Sequence, residues 1–172
     1  ILSPRSYLGI VAASNMKQRT RMLTLYFRAE HRNYAVIGTS NKNEHDQGFF
    51  VKYGDGGADL QPIRHLFKSQ VYQLAEYLDI PQSIIQRTPT TDTYSAGSTQ
   101  EEFYFRVPFD LLDKIWLGME LGMSALEIAN DICLTEEQVG RVVADIVQKK
   151  RTTDYLRTTP LALESGSTLP PV

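Results

Sequence analysis

Residues 34–44 read Tyr34-Ala-Val-Ile-Gly-Thr-Ser-Asn-Lys-Asn-Glu44, and this stretch decides the fold class. Tyr34 to Thr39 is short, apolar and rich in β-formers, and it ends in Gly-Thr. Such a run reads as a buried strand of the parallel kind. The polar segment Ser40 to Gln47 predicts one or two helical turns after it. Upstream, Met22, Leu25, Tyr26 and Ala29 recur at helical spacing, which predicts a helix from about Lys17 to His31. Downstream, Phe49 to Tyr53 is short and aromatic, and Gly54-Asp-Gly-Gly57 breaks it sharply. A strand between helices, followed by a glycine turn and another helix, implies an α/β layer. A lone strand makes no sheet, so its neighbours are expected upstream of Ile1 or from another chain.

The rest of the chain is expected to be helical. A helix from about Leu66 to Leu78 carries Val71, Leu74, Ala75 and Leu78 on one side. Pro81 opens a further turn through Ile85. Thr88 to Thr99 is rich in Thr, Ser, Pro and Gly without periodicity, and reads as a loop. Pro108 to Leu121 is one helix. Ser124-Ala-Leu-Glu127 and Thr135-Glu-Glu-Gln138 each carry the capping-box pattern that opens a helix. The last helix runs from about Glu136 to about Arg151. Two units follow from this reading, a folded part over residues 1–160 and a flexible tail over residues 161–172.

Composition narrows the function classes. Lys and Arg number 18, Asp and Glu 20, for a formal net charge of −2. That balance excludes a chain that coats nucleic acid or an anionic membrane with its whole surface. Hydrophobic residues at 42% and charged residues at 22% exclude global disorder. No apolar run approaches the roughly 20 residues of a membrane span. The single cysteine, Cys133, excludes an intrachain disulfide framework, and its apolar surroundings predict a packed, inert thiol. The plain reading is a soluble, cytoplasmic domain. The start at Ile1, without the basic and apolar pattern of a signal peptide, is expected to mark an excerpt of a longer chain.

Two stretches carry chemistry. A strand ending at Gly38-Thr39 delivers the next residues to the carboxyl edge of a sheet, where ligands of open α/β sheets bind. Thr39 offers a hydroxyl there. Glu44 offers a hard oxygen about one turn later, of the kind magnesium takes once or twice beside water and phosphate. The alternative is a capped surface helix with Glu44 solvated. Glu44-His-Asp46 does not read as a metal cluster, because adjacent helical residues point different ways. In Lys52-Tyr-Gly-Asp-Gly-Gly-Ala-Asp59, three glycines in four positions permit left-handed backbone and close approach of a ligand. Lys52 and Asp59 bracket that turn and suit an anionic ligand with sugar hydroxyls. The alternative is an ordinary surface turn. It is neither a calcium loop nor a Walker loop.

The succession Asn15-x-Lys17-x-Arg19-x-Arg-Met22, Gly38-Thr-x-Asn-Lys-x-Glu44, Lys52-Tyr-Gly-Asp-Gly-Gly-x-Asp59-Leu, Pro62-Ile-x-x-Leu-x-Lys68 and Pro89-Thr90 closely resembles the C-terminal half of NAD synthetases. It resembles the ammonia-dependent type more than most glutamine-fed ones. The match is strong from Asn15 to Thr90 and weaker through the helical end. The resemblance implies a parallel sheet flanked by helices, of the adenine-nucleotide alpha-hydrolase (ATP-pyrophosphatase) type, and a homodimer. It implies an enzyme that adenylates the carboxylate of deamido-NAD with ATP, releases pyrophosphate, and lets ammonia displace AMP to give NAD. By that motif Thr39, Lys68 and Thr90 contact ATP, Glu44 holds magnesium, and Arg19, Lys52 and Asp59 hold deamido-NAD; a catalytic residue is unknown. Two departures stand out. The Ser-Gly-Gly-x-Asp-Ser pyrophosphate loop is absent, so these 172 residues alone are expected to be inactive. The family's C-terminal His-Lys pair reads Tyr155-Leu156, and spacing leaves open whether Arg157 or Lys150 substitutes.

The rival classes are another amidating ATP pyrophosphatase and a nucleic-acid-binding helical module. The second rests on Ser124 to Val147, which reads somewhat like a helix-turn-helix. It also rests on a local charge of +3 from Arg141 to Arg157, five basic residues against two acidic.

Overall fold

The computed structural model describes residues 3–91 and 97–162. Most of the expected tail, from 163 on, and the middle of the Thr88–Thr99 loop lie outside these. Helix α1 spans Pro4–Glu30, much longer than the spacing predicts. The Ser3 hydroxyl accepts the Ser6 N–H at 3.1 Å and Pro4 stands in the first turn, where its missing donor is harmless. Apolar residues surround the first half of α1 instead of forming a stripe, so periodicity carries no signal there.

The expected parallel sheet does not form among the described residues, and no run qualifies as a strand. One isolated parallel bridge, Ile37 to Leu60, stands in its place. Gly38 N–H donates to the Leu60 carbonyl at 2.7 Å, and Asp59 N–H to the Val36 carbonyl at 2.9 Å. Tyr34 is 70% exposed and Ile37 61%. An apolar run of this kind becomes a buried strand only between neighbouring strands, and the described residues supply one short contact.

Helix α2, Lys42–Gln47, is closed by a capping box between Asn41 and Glu44. Gly48 ends it at φ 76°, a left-handed turn suited to glycine. A Cβ there would also collide with the Thr153 side chain. Helices α3 (Lys68–Tyr77) and α4 (Gln82–Ile85) follow. A π-helical turn over Glu101–Phe105 leads to α5 (Phe109–Glu120). Then come α6 (Ala125–Asp131), α7 (Glu136–Thr152) and the short α8 (Asp154–Arg157). Both expected capping boxes form, with Glu127 N–H on the Ser124 hydroxyl at 3.3 Å and Gln138 N–H on the Thr135 hydroxyl at 3.2 Å.

The core sits among these last helices. Phe67, Phe105, Phe109, Leu112, Trp116 and Ile146 form one buried cluster, and Ile115, Ile128, Ala129 and Val139 a second. Cys133 corrects the expectation of a packed thiol. It is exposed and stands at φ 58° in the turn between α6 and α7, so the apolar neighbours in sequence turn inward without it. No helix among the described residues is long and apolar enough to cross a membrane.

Candidate functional site

A cleft of about 1240 Å³ runs between α1, α2, the glycine turn, α3 and the 88–91 segment. Six of the seven motif residues line it: Arg19, Thr39, Glu44, Lys52, Lys68 and Thr90.

Glu44 and Lys68 form its charged centre. One Glu44 oxygen accepts the Asn41 N–H at 3.1 Å, so the residue closes its own helix cap and also faces the cleft. Burial raises the Glu44 pKa, against the lowering effects of the Asn41 hydrogen bond and of the Lys68 charge. Asp55, on the glycine turn, adds negative charge nearby. Lys68 opens α3, with its ammonium 5.5 Å from the Tyr72 ring centre and 5.8 Å from that of Phe109. Such ring faces favour a cation. Among the described residues no group of three or more His, Cys, Asp or Glu gathers around a common point.

Arg19 and Lys52 form a second pair. Arg19 Nε donates to the Lys52 carbonyl at 3.2 Å. The Lys52 ammonium donates to the carbonyls of Tyr155 at 2.8 Å and Thr158 at 2.7 Å. It therefore ties the glycine turn to the segment around α8, where a cation suits the end of a helix. Thr39 is exposed at the mouth of the cleft. Thr90 sits in an isolated antiparallel bridge with Thr99.

Asp59 is not among the cleft-lining residues. Its two oxygens accept the Tyr26 hydroxyl at 3.2 Å and the Val36 N–H at 2.7 Å, so it joins α1 to the 34–39 run. The glycine turn also differs from its reading. Left-handed backbone occurs at Tyr53, φ 61°, and not at Gly54, Gly56 or Gly57. The glycines serve close packing within the protein. A Cβ on Gly54 would lie 3.0 Å from the Gln18 Cβ, and one on Gly57 3.2 Å from the Met22 Cγ.

The two candidate substitutes for the His-Lys pair lie elsewhere. Arg157 donates to the carbonyls of His45, Asp46 and Lys150 and to the Thr153 hydroxyl. Lys150 stands 5.3 Å from the Trp116 ring centre. Tyr155 and Leu156 themselves line the cleft. The basic stretch considered for nucleic acid is likewise engaged: Lys149 donates to the Tyr104 carbonyl at 2.7 Å, and Arg141 pairs with Glu137. Val139 and Ile146 of α7 point into the core.

Sequence reasoning missed several lining residues, among them Tyr72, Gln100 and Tyr104. Gln100 hydrogen-bonds Glu44 across 56 positions, and no local pattern marks it. The Tyr104 hydroxyl donates to the Gln47 carbonyl at 2.6 Å, and burial pushes its pKa up to about 12.

The sequence model of NAD synthase matches residues 5–160. The NH(3)-dependent NAD(+) synthetase of Rhizobium meliloti (strain 1021) is 55% identical over 159 residues, covering 92% of this chain and 48% of that protein. Among solved structures, an NMN synthetase from Francisella tularensis superposes with a TM-score of 0.71 at 29% identity, over 92% of this chain and 58% of that one. An NH3-dependent NAD synthetase from Campylobacter jejuni gives 0.64 at 25%, over 90% and 56%. The chain spans about half the length of the curated relatives it matches. The matched positions include every residue of the cleft, and the chain belongs to the NAD synthase family.

Proposed function

We propose that this region forms part of the site at which ATP adenylates the carboxylate of deamido-NAD, so that ammonia displaces AMP and gives NAD. The observation that carries this reading is the convergence of six motif residues, dispersed from Arg19 to Thr90, on one cleft. Adenylation turns a poor leaving oxygen into a good one. Lys68 offsets phosphate charge, and the Thr39 and Thr90 hydroxyls bond phosphate or ribose oxygens. Arg19 and Lys52 face the dinucleotide, whose phosphates exchange with the Tyr155 and Thr158 carbonyls for the Lys52 ammonium. Asp59 is the seventh member, and it serves the dinucleotide by holding α1 against the 34–39 run.

Magnesium fits Glu44 by donor chemistry. A hard carboxylate oxygen, penalised by burial and beside a second acid, gains from a cation, and magnesium needs only one or two such ligands with phosphate and water. When bound, it neutralises charge building on the phosphates. The parallel sheet of the ATP-pyrophosphatase type belongs to the same proposal, with the Ile37–Leu60 bridge as its only visible rung among the described residues. So do a homodimer, for which exposed Leu8, Met16, Leu23 and Phe27 of α1 offer apolar surface, and a cytoplasmic location, where ATP is at hand.

Calorimetry tests the reading. Lys68→Ala should weaken ATP, and Lys52→Ala deamido-NAD, each by roughly 1.5–3 kcal/mol for a lost charged hydrogen bond. Asp59→Ala should weaken deamido-NAD more than ATP. Ligand affinities untouched by Lys68→Ala and Lys52→Ala would refute the assignment. The 172-residue chain alone should release no AMP from ATP, ammonium and deamido-NAD, because its sequence has no Ser-Gly-Gly-x-Asp-Ser loop.

A further inference from the structure

Beneath Glu44 and Lys68 lies a buried polar relay that the motif does not contain. Asn43, fully buried in α2, and Asp113, nearly so in α5, meet in the interior. Asn43 Nδ2 donates to Asp113 Oδ1 at 2.5 Å. The other end of the same amide, Asn43 Oδ1, accepts the backbone N–H of Lys68 at 2.9 Å. The other oxygen of the same carboxylate, Asp113 Oδ2, accepts the Ser69 N–H at 2.8 Å, and the Ser69 hydroxyl bonds Asp113 as well. Two side chains thus satisfy two of the donors that the first turn of α3 leaves unpaired, and Asp113 puts negative charge at the positive end of that helix.

The consequence is positional. Asn43 immediately precedes Glu44, and the N–H it holds belongs to Lys68. The relay therefore sets the spacing of the two charged cleft residues, one on α2 and one on α3, from a third element, α5, which is anchored in the core by Leu112, Ile115 and Trp116. Apolar packing alone would hold three helices together with tolerance for small slides. A buried amide bonded at both ends admits one register, since a slip leaves a donor or acceptor unsatisfied.

We propose that Asp113, acting through Asn43 and the first turn of α3, is a positioning residue for the ATP side of the cleft, coupling the C-terminal bundle to the Glu44–Lys68 pair. This rests on the functional reading above. The polarity of the relay supplies a sharp test. Asp113→Asn places an amide where donors reach both oxygens, so one of Asn43 Nδ2 and Ser69 N–H loses its acceptor. The exchange Asn43→Asp with Asp113→Asn restores every bond. The new carboxylate at position 43 would accept from Lys68 N–H and from the new amide at position 113, and that amide's oxygen would accept from Ser69.

The experiment measures ATP–magnesium and deamido-NAD affinity in the complete protein, together with amide exchange at Lys68 and Ser69. In Asp113→Asn, ATP should weaken by about tenfold, the equivalent of one lost buried hydrogen bond. Deamido-NAD should hold within about twofold, a small fraction of that energy. The Ser69 or Lys68 amide should exchange faster, and the double exchange should restore both readouts. Asn43→Ala, which leaves Asp113 on Ser69, serves the same purpose if Asp113→Asn does not fold. Unchanged ATP affinity in a folded variant would overturn the proposal while leaving the functional reading intact. Equal weakening of both ligands, unrepaired by the exchange, would overturn it too, by showing Asp113 to be a general support of the fold. Wild-type protein that binds no ATP would overturn the functional reading, and the positioning role with it.

Discussion

The C-terminal bundle and α1 are both helical and both rich in apolar side chains, but they use them differently. In α5–α7 the large residues face one another, and Trp116 is 1% exposed. In α1, Leu23 is 67% and Phe27 61% exposed, and Ser14 is the one buried residue of the helix. The bundle turns its apolar residues inward from each helix, with capping boxes opening α6 and α7, and closes on itself. Helix α1 has apolar residues all around and touches the rest chiefly at the glycine turn and through Asp59. Hydrophobic content therefore does not measure stability; the pairing of faces does. Helix α1 forms one wall of the cleft and is fixed by few contacts, while α2 and α3 contribute to the rest of its lining.

Four measurements break or sharpen this contrast. The largest effect is expected in the bundle: Trp116→Ala should cost about 3–5 kcal/mol in urea unfolding, through lost transfer energy and a cavity. A cost near zero would mean that the bundle is not the stable unit. Gly118→Ala comes next. Its Cβ would stand 2.7 Å from the Ile128 Cγ1 between α5 and α6, and such overpacking typically costs about 1–3 kcal/mol. A neutral result would show that α6 can move aside.

Glu44→Gln should have a smaller effect of opposite sign. Burial raises the pKa of Glu44, so the folded state holds its proton more tightly than the unfolded chain does. Stability from this group is present below its ordinary pKa and is lost as pH rises through the raised one. The glutamine keeps the acceptor for Asn41 and carries no charge. It should raise the melting temperature at alkaline pH, where the carboxylate must ionise in its buried place, and the gain should vanish below the ordinary carboxylate range. A gain independent of pH would detach the effect from the carboxylate. The smallest effect is expected on α1: Leu23→Ala should change unfolding free energy in dilute protein by no more than about 0.5 kcal/mol. A cost of several kcal/mol would show that this face is covered in solution.

Local signals were readable, and for a physical reason. The capping boxes at Ser124 and Thr135, the helix after Asn41, and the apolar stripes of α5 and α7 arise from hydrogen bonds and contacts three or four residues apart. A single sequence displays them directly. The motif residues of the cleft were legible as well, by resemblance, although nothing in their spacing says that they meet. The first half of α1 was not legible, because an apolar surface without a stripe has no period. The exposure of Cys133 was missed for a related cause: its surroundings in sequence are apolar, but a left-handed turn directs it outward.

By itself, then, the sequence determined most of the helical elements, the bounds of the C-terminal ones to within a few residues, and the family. The tertiary structure decided which polar groups are already engaged. Lys52 reaches carbonyls 103 and 106 positions away, Asp59 secures Tyr26 and Val36, and Asn43 finds Asp113 across 70. A carboxylate or an ammonium reads the same in sequence whether it awaits a ligand or holds a buried donor or acceptor. Only the path of the chain, which brings distant partners within hydrogen-bonding distance, distinguishes the two.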